Sequence, residues 1–206
     1  SRIISQQIIL DHVRKKNCWL LADEVYHRIV YQGNASSSFL SLSEPDDKLL
    51  VINSSSKSFN MTGWRVGWIT HPEYLGEHIA KLVQISTTGV PEFIQKGFIE
   101  ALKNHEFLVA DVMKNLHVSR DFVYNKMKHW TKLKINKPVS AFYFFFKAND
   151  AKDSISFCKN LIKKTQVGLA PGIAFGKTGD NFLRLCFAAD VKFLENILNR
   201  LEEEFN

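Results

Sequence analysis

Lys57 is the residue whose neighbours first suggest chemistry. It closes the run Ser54-Ser55-Ser56-Lys57, and eight residues later Arg65 stands between Gly63 and Gly67. An apolar run, Leu49-Leu50-Val51-Ile52, delivers the chain to those hydroxyls, and a second strand-like run, Val66-Gly67-Trp68-Ile69, follows the arginine. A lysine at the mouth of a sheet, with hydroxyls and an arginine beside it, suits an anionic ligand that the amine also attacks. A bare anion site needs no nucleophile. A plain loop needs no arginine framed by glycines.

The elements that must position these residues follow from periodicity and breakers. Residues 1–17 place Ile4, Ile8, His12 and Val13 on one side and Arg14, Lys15 and Lys16 at the end, which predicts an amphipathic helix with cations in its last turn. Cys18-Trp19-Leu20-Leu21-Ala22 is a short apolar run, the pattern of a strand buried on both faces of a parallel sheet, and it ends in Asp23-Glu24. Carboxylates at the carboxyl end of such a strand lie where α/β sheets bind ligands. Residues 32–47 read as a polar connection to the strand 49–52. Pro72 to Ile85 reads as a helix with Leu75, Ile79, Leu82 and Val83 inward, and Thr87-Thr88-Gly89-Val90-Pro91 breaks it. Helices then cover 92–104 and 105–130, strands 133–135 and 141–146, a helix 153–164, strands 167–170 and 182–187, and a closing helix 191–205. The pattern is α/β over residues 1–105, followed by a helical connector and a smaller α+β unit over 106–206.

Composition narrows the function classes. The chain has 206 residues, 45% of them apolar, long enough for a sizeable core and unlike a disordered segment. No apolar run reaches the roughly 18 residues of a membrane span, and no signal peptide opens the sequence. A formal net charge of +6 favours anionic ligands only in a general way. Cys18, Cys158 and Cys186 are odd in number and sit among apolar neighbours, which predicts buried thiols in a reducing compartment and a cytoplasmic location.

Asp23, Lys57 and Arg65 leave different strand ends and can converge in one crevice. A lysine that forms a Schiff base must be partly neutral, which burial and nearby cations arrange. A carboxylate facing a pyridine nitrogen keeps it protonated and makes the ring an electron sink. Tyr26, three residues after Asp23, can bond a phenolic oxygen of that ring, while Ser54, Ser56 and Arg65 can hold a phosphate.

Ala-Asp-Glu-Val-Tyr (22–26), Ser54 to Trp68, Pro-Gly-Ile-Ala-Phe-Gly (171–176) and Phe-Leu-Arg-Leu-Cys-Phe (182–187) together resemble the class I/II aminotransferases. These are fold-type I enzymes dependent on pyridoxal 5′-phosphate, and the resemblance in order and spacing covers most of the chain. It implies that Lys57 carries the cofactor as a Schiff base and shuttles the proton between substrate and cofactor. Asp23 would pair with the pyridinium nitrogen, Tyr26 with the ring oxygen, and Ser54, Ser56 and Arg65 with the phosphate. Arg184 would hold the substrate α-carboxylate. Amino acids and 2-oxo acids are the implied substrates and a homodimer the implied assembly, with the Thr87–Thr88 turn towards the partner's cofactor. No arginine near that turn is available to clamp a second carboxylate.

The resemblance also implies a carboxyl-terminal half of a longer enzyme, inactive alone. Missing would be the asparagine that supports the ring oxygen, the aromatic residue that stacks on the ring, and the earlier small-residue loop that receives the phosphate. Alternatives are another fold-type I enzyme such as a β-lyase, which uses the same lysine, or a non-catalytic truncated paralogue.

Three other motifs are weaker. Ser54-x-x-Lys57 with Lys177-Thr178-Gly179 resembles the penicillin-recognising serine hydrolases, but Gly63 soon interrupts any helix after Ser54 and Lys177 sits in a predicted turn. Gly172-Ile-Ala-Phe-Gly176-Lys-Thr178 has one residue fewer between its glycines than a phosphate-binding loop, and a strand follows where a helix belongs. Lys126 to Lys137 carries five lysines with His129 and Trp130, which reads as a solvated helix end and no nucleic-acid patch. The seven histidines show no metal-ligand spacing.

Overall fold

Two clusters of strands organise the chain. A computed structural model describes residues 2–33 and 35–206, so the starting residue Ser1 of the predicted first helix and Asn34 in the predicted connection lie outside the described residues. The chain divides into two compact units, one running to Val112 and one spanning Met113–Asn206.

In the first unit, α1 (Arg2–Lys16) precedes β1 (Leu20–Asp23), and β2 (Leu49–Ser54) runs parallel to β1 in the register Leu20↔Leu49 to Asp23↔Ile52. A single turn, α2 (Ser55–Ser58), follows β2 directly, and β3 (Gly67–Thr70) returns antiparallel to β2 with Ser54 opposite Gly67. The sheet order is β1-β2-β3. Alternation along β2 buries Leu49 and Val51, which pack with Ala22, Leu20 and Phe39. Then come α3 (Gly76–Thr87) and α4 (Glu92–Lys103), and α5 (His105–Met127) begins in this unit and continues past Val112 into the second. A second apolar cluster, Met61, Val66, Phe98 and Ala101, joins the segment after α2 to α4.

Three expectations need correction here. The stripe of α1 that docks is Gln6, Leu10 and Arg14, at steps of four, and not Ile4 and Ile8. Leu10 is buried, Gln6 donates to the Ser37 carbonyl at 3.0 Å, and Arg14 forks onto Asp47 at 2.6 and 2.7 Å. Ile4 is 61% and Ile8 64% exposed. β1 is not covered on both faces, because Leu21 is 60% exposed and β1 pairs only with β2 among the described residues. On α3 the predicted inward Leu82 and Val83 are exposed. An apolar pattern identifies the face that wants a partner, and it does not state that this chain supplies one. The thiols also differ from expectation: Cys158 is buried, while Cys18 and Cys186 are exposed.

In the second unit, β4 (Leu133–Lys134), β5 (Tyr143–Ala148), β6 (Ala170–Pro171) and β7 (Phe182–Cys186) form an antiparallel sheet of order β4-β5-β7-β6. One sheet face is apolar: Phe144 and Phe146 of β5 and Leu183 and Leu185 of β7 are buried and alternate with half-buried or exposed neighbours. Two helices supply buried apolar faces, α6 (Ser154–Thr165) through Cys158 and Leu161, and α7 (Val191–Phe205) through Leu194, Leu198, Leu201 and Phe205. Asp153 and Asp190 cap these helices, accepting from Ser156 N at 3.0 Å and Phe193 N at 2.9 Å. The basic tract is largely satisfied internally, with Lys126 ion-paired to Glu202 and Lys137 to Asp121. No helix among the described residues is long and apolar enough to cross a membrane.

Leu198 is fully buried whereas Leu82 is 65% exposed, so the two leucines predict different costs. Leu198→Ala should remove about 3 kcal/mol of stability by leaving a cavity, and Leu82→Ala should change it by less than about 0.5 kcal/mol; urea denaturation of both variants checks the contrast. The Arg14 fork holds the Asp47 carboxyl below its ordinary value. Its stabilising effect is therefore complete above about pH 4 and is lost as pH falls through the depressed native value. The stability gap between the native chain and Asp47→Asn, measured at pH 5 and again at pH 3, should shrink at the lower pH.

Candidate active site

β2 reaches its end as an aliphatic strand and stops because a serine takes over the backbone hydrogen bonding. Ser54 is extended (φ −150°, ψ 146°) and caps α2 by accepting from Ser56 N at 3.1 Å. Its own proton goes to the Val66 carbonyl at 3.2 Å. Ser55, fully buried, sends both its amide (3.1 Å) and its hydroxyl (3.0 Å) to that same carbonyl. Three donors from the β2–α2 junction thus converge on one acceptor in the segment that enters β3. Lys57 lies two residues past Ser55, half-buried, within the single turn of α2.

The return path is equally tied. Thr62 Oγ1 donates to the Ser56 carbonyl at 3.0 Å, and Arg65 Nη1 donates to the Thr62 carbonyl at 2.9 Å. Arg65 adopts a left-handed conformation (φ 57°, ψ 45°), a strained one for a residue with a side chain. Its guanidinium is exposed and makes no ion pair among the described residues. Gly97 of α4 lets Trp64 lie close, since a Cβ there would sit 2.4 Å from the Trp64 ring. Arg65 is therefore held on both sides, by Trp64 against α4 and by Val66 against the serines.

Asp23 ends β1 beside Ile52, and Glu24 N continues the pairing with a 2.9 Å bond to the Ile52 carbonyl. Because β1 and β2 are parallel, Asp23 and Ser54 emerge at the same sheet edge. Antiparallel β3 begins at that edge, which brings Arg65 there too. One Asp23 oxygen accepts Val25 N at 3.2 Å. Tyr26 sits half-buried in the turn that follows.

That turn is fixed by residues outside the recognised motif roles. The His27 amide and Nδ1–H both donate to the Glu24 carbonyl, at 2.9 and 3.2 Å, and the imidazole also bonds the Asn53 side chain. Ser36 bonds the His27 carbonyl through its amide (2.8 Å) and hydroxyl (3.3 Å), and a Glu24 oxygen accepts Phe39 N at 2.9 Å. Burial lowers the His27 pKa, so the ring stays neutral at neutral pH. Asn53 had a legible signal: alternation from Leu49 and Val51 places it on the buried face of β2, where an amide needs a partner.

In the second unit Arg184 stands on the face of β7 opposite the buried Leu183 and Leu185. Its guanidinium carbon lies 4.3 Å from the Tyr143 ring centre and 4.4 Å from that of Phe175, and it makes no ion pair among the described residues. The competing motifs do not assemble: Lys177–Gly179 is a turn and not a strand, and a strand follows the glycine loop. An apolar cavity of about 610 Å³ in the first unit is lined by Val66, Trp68, Val90 and Phe98 among others. None of Asp23, Tyr26, Ser54, Lys57 or Arg65 lines it. It backs the Val66 segment and is not where these side chains meet.

Comparison with known proteins shows the family. The family model for aminotransferase class I and II matches residues 6–201. The aspartate aminotransferase of Thermotoga maritima is 34% identical over 193 residues, covering 94% of this chain and 49% of that protein. Aromatic-amino-acid aminotransferase 2 of Thermococcus litoralis is 30% identical over 198 residues, covering 95% of this chain and 51% of the relative. The crystal structure of the aromatic aminotransferase of Pyrococcus horikoshii superposes with a TM-score of 0.89 at 30% identity, over 97% of this chain and 54% of the other. The chain spans about half the length of the curated relatives it matches. The α/β, fold-type I expectation holds, and with the match running through the lysine, aspartate and arginine segments alike, the chain belongs to the class I and II aminotransferases.

Proposed function

We propose that this chain carries the lysine-bearing part of a pyridoxal-phosphate-dependent aminotransferase, which moves an amino group between an L-amino acid and a 2-oxo acid. The observation that carries the reading is the junction at Val66. It fixes a lysine, a serine cap and a left-handed arginine at one sheet edge, beside an aspartate from the neighbouring strand.

The side chains fit the cofactor's chemistry. Its phosphate needs donors without a competing anion, and Arg65 has no ion pair while the Ser56 hydroxyl has no hydrogen bond among the described residues. Ser54 has committed its proton to Val66, yet the two Ser55 donors keep that carbonyl satisfied if Ser54 turns towards a phosphate. Asp23 holds one backbone N–H and keeps an oxygen for a protonated ring nitrogen. Tyr26 supplies a phenol for the ring oxygen. When bound, pyridoxal phosphate supplies an electron sink for the charge left at the substrate Cα.

Each residue then has a defined part. Lys57 Nζ would hold the cofactor until the substrate amine displaces it, and the amine so released would take the proton from the substrate Cα. Asp23 keeps the ring nitrogen protonated, Arg65 and Ser56 anchor the phosphate, and Arg184 takes the α-carboxylate in its planar fork. The same lysine could serve β-elimination, so a panel of amino acids scored for oxo-acid exchange against ammonia release separates the two reactions. We place the first part of the family site on residues 1–105 and the small domain on 106–206, in a homodimer, with turnover requiring more than this chain.

Borohydride reduction of the native protein with pyridoxal phosphate, followed by peptide mapping, should place the label on Lys57. A label on any other lysine contradicts the assignment.

A further inference from the structure

We propose that Tyr143 and Phe175 are positioning residues for Arg184, and that the glycine-packed loop 172–179 serves to hold Phe175 against the guanidinium. The proposal rests on the carboxylate-binding role given to Arg184 above.

Arg184 is placed centrally in its sheet: it faces Phe145 of β5 on one side and Ala170 of β6 on the other. A long, rotamer-rich side chain in that position needs something to fix its direction. The usual partner would be a carboxylate, but among the described residues none lies within ion-pair distance, and no oxygen accepts from the guanidinium. What holds it are the two rings, at 4.3 and 4.4 Å. Guanidinium is weakly hydrated and rests well on aromatic faces. Such a contact stabilises the charge without consuming any of its five N–H donors. The outcome is a cation fixed in direction with its donors left for a ligand.

Tyr143 reaches Arg184 because it pairs with Cys186, two residues along β7 on the same face, which makes it a diagonal neighbour. Phe175 needs a different device, because it is half exposed and burial cannot fix it. Its loop is closed backbone on backbone. A Cβ at Gly172 would fall 2.1 Å from the Gly179 carbonyl, and one at Gly179 would fall 2.3 Å from the Gly172 carbonyl. Gly176 takes φ 126° immediately after Phe175. The buried Ser154 anchors the loop, accepting Ile173 N at 3.3 Å while its own amide bonds Asp180 at 2.8 Å. Phe145 meets the Phe175 ring edge-on at 5.8 Å and stacks on Phe182 at 5.0 Å. The glycine spacing that resembled a nucleotide loop thus has a different use here.

The test reads the Arg184 Nε–H group by NMR on the full chain, assigned through Arg184→Lys, with acetate as the probe acid. In the native chain the Arg184 side-chain protons should be shifted upfield by the two rings, and the Nε–H signal should move with acetate. Tyr143→Leu and Phe175→Leu should abolish much of the ring shift and weaken acetate binding by about tenfold each. Tyr143→Phe and Phe175→Tyr keep the ring faces and should restore native behaviour, which a role for the Tyr143 hydroxyl would not allow. Unchanged backbone amide spectra establish that the variants fold. Leucine variants that bind acetate as the native chain does would overturn the bracket while leaving Arg184 as the receptor. A native chain whose ring-shifted Arg184 signal ignores acetate, with affinity kept in Arg184→Gln, would overturn the receptor role and the bracket's purpose with it.

Discussion

The Val66 carbonyl is the acceptor on which the candidate site depends. It gathers the Ser54 hydroxyl, the Ser55 amide and the Ser55 hydroxyl within 3.2 Å, so the end of one strand and the start of its antiparallel neighbour cannot separate without stranding buried donors. Lys57 and Arg65 lie just outside this junction on either branch. The path of the backbone on which both stand is therefore set by buried hydrogen bonding. That rigidity would serve the proposed roles of Lys57 as nucleophile and Arg65 as anion-binding fork, since the buried Ser55 that supplies most of it is given no chemical role.

The second unit solves a similar problem by other means. Its sheet buries Phe144, Phe146, Leu183 and Leu185 on one face against α6 and α7, and this well-packed layer gives the opposite face a firm base. Arg184 stands on that opposite face, and rings rather than hydrogen-bonding oxygens surround it. In the first unit a carbonyl organises two cations from beneath; in the second, aromatic surfaces hold one cation while leaving its donors unused.

Much of this was legible in the sequence where the information is local. The hydroxyl run before Lys57, the glycines around Arg65 and the carboxylate ending an apolar strand each declare their positions within a few residues. The left-handed backbone of Arg65 is a finding of the structure alone. The failures lie where the outcome depends on what packs against what. Ile4 and Ile8 form a convincing stripe, yet α1 docks through Gln6, Leu10 and Arg14 because the connection at 37–47 offers a carbonyl and a carboxylate to bond. Leu21 and Leu82 look like core residues and are exposed. Glu24 and His27 carry no motif of their own, and although alternation puts Asn53 on the buried face of β2, only the folded turn reveals that these residues brace the segment holding Asp23 and Tyr26. The rings around Arg184 were hidden for the same reason, since register and a glycine-closed loop bring together residues far apart in sequence.

The central claim is that the Val66 junction places Arg65 for an anion. Pyridoxal phosphate affinity in a double-mutant cycle of Ser55→Ala and Arg65→Gln tests it most directly, because the change removes a buried hydroxyl that bonds the Val66 carbonyl and leaves the Ser55 backbone bonds in place. Each single change should weaken binding, and Ser55→Ala should cost little once Arg65 is already gone. If Ser55→Ala weakens binding equally with and without Arg65, the junction does not position the arginine and the account fails.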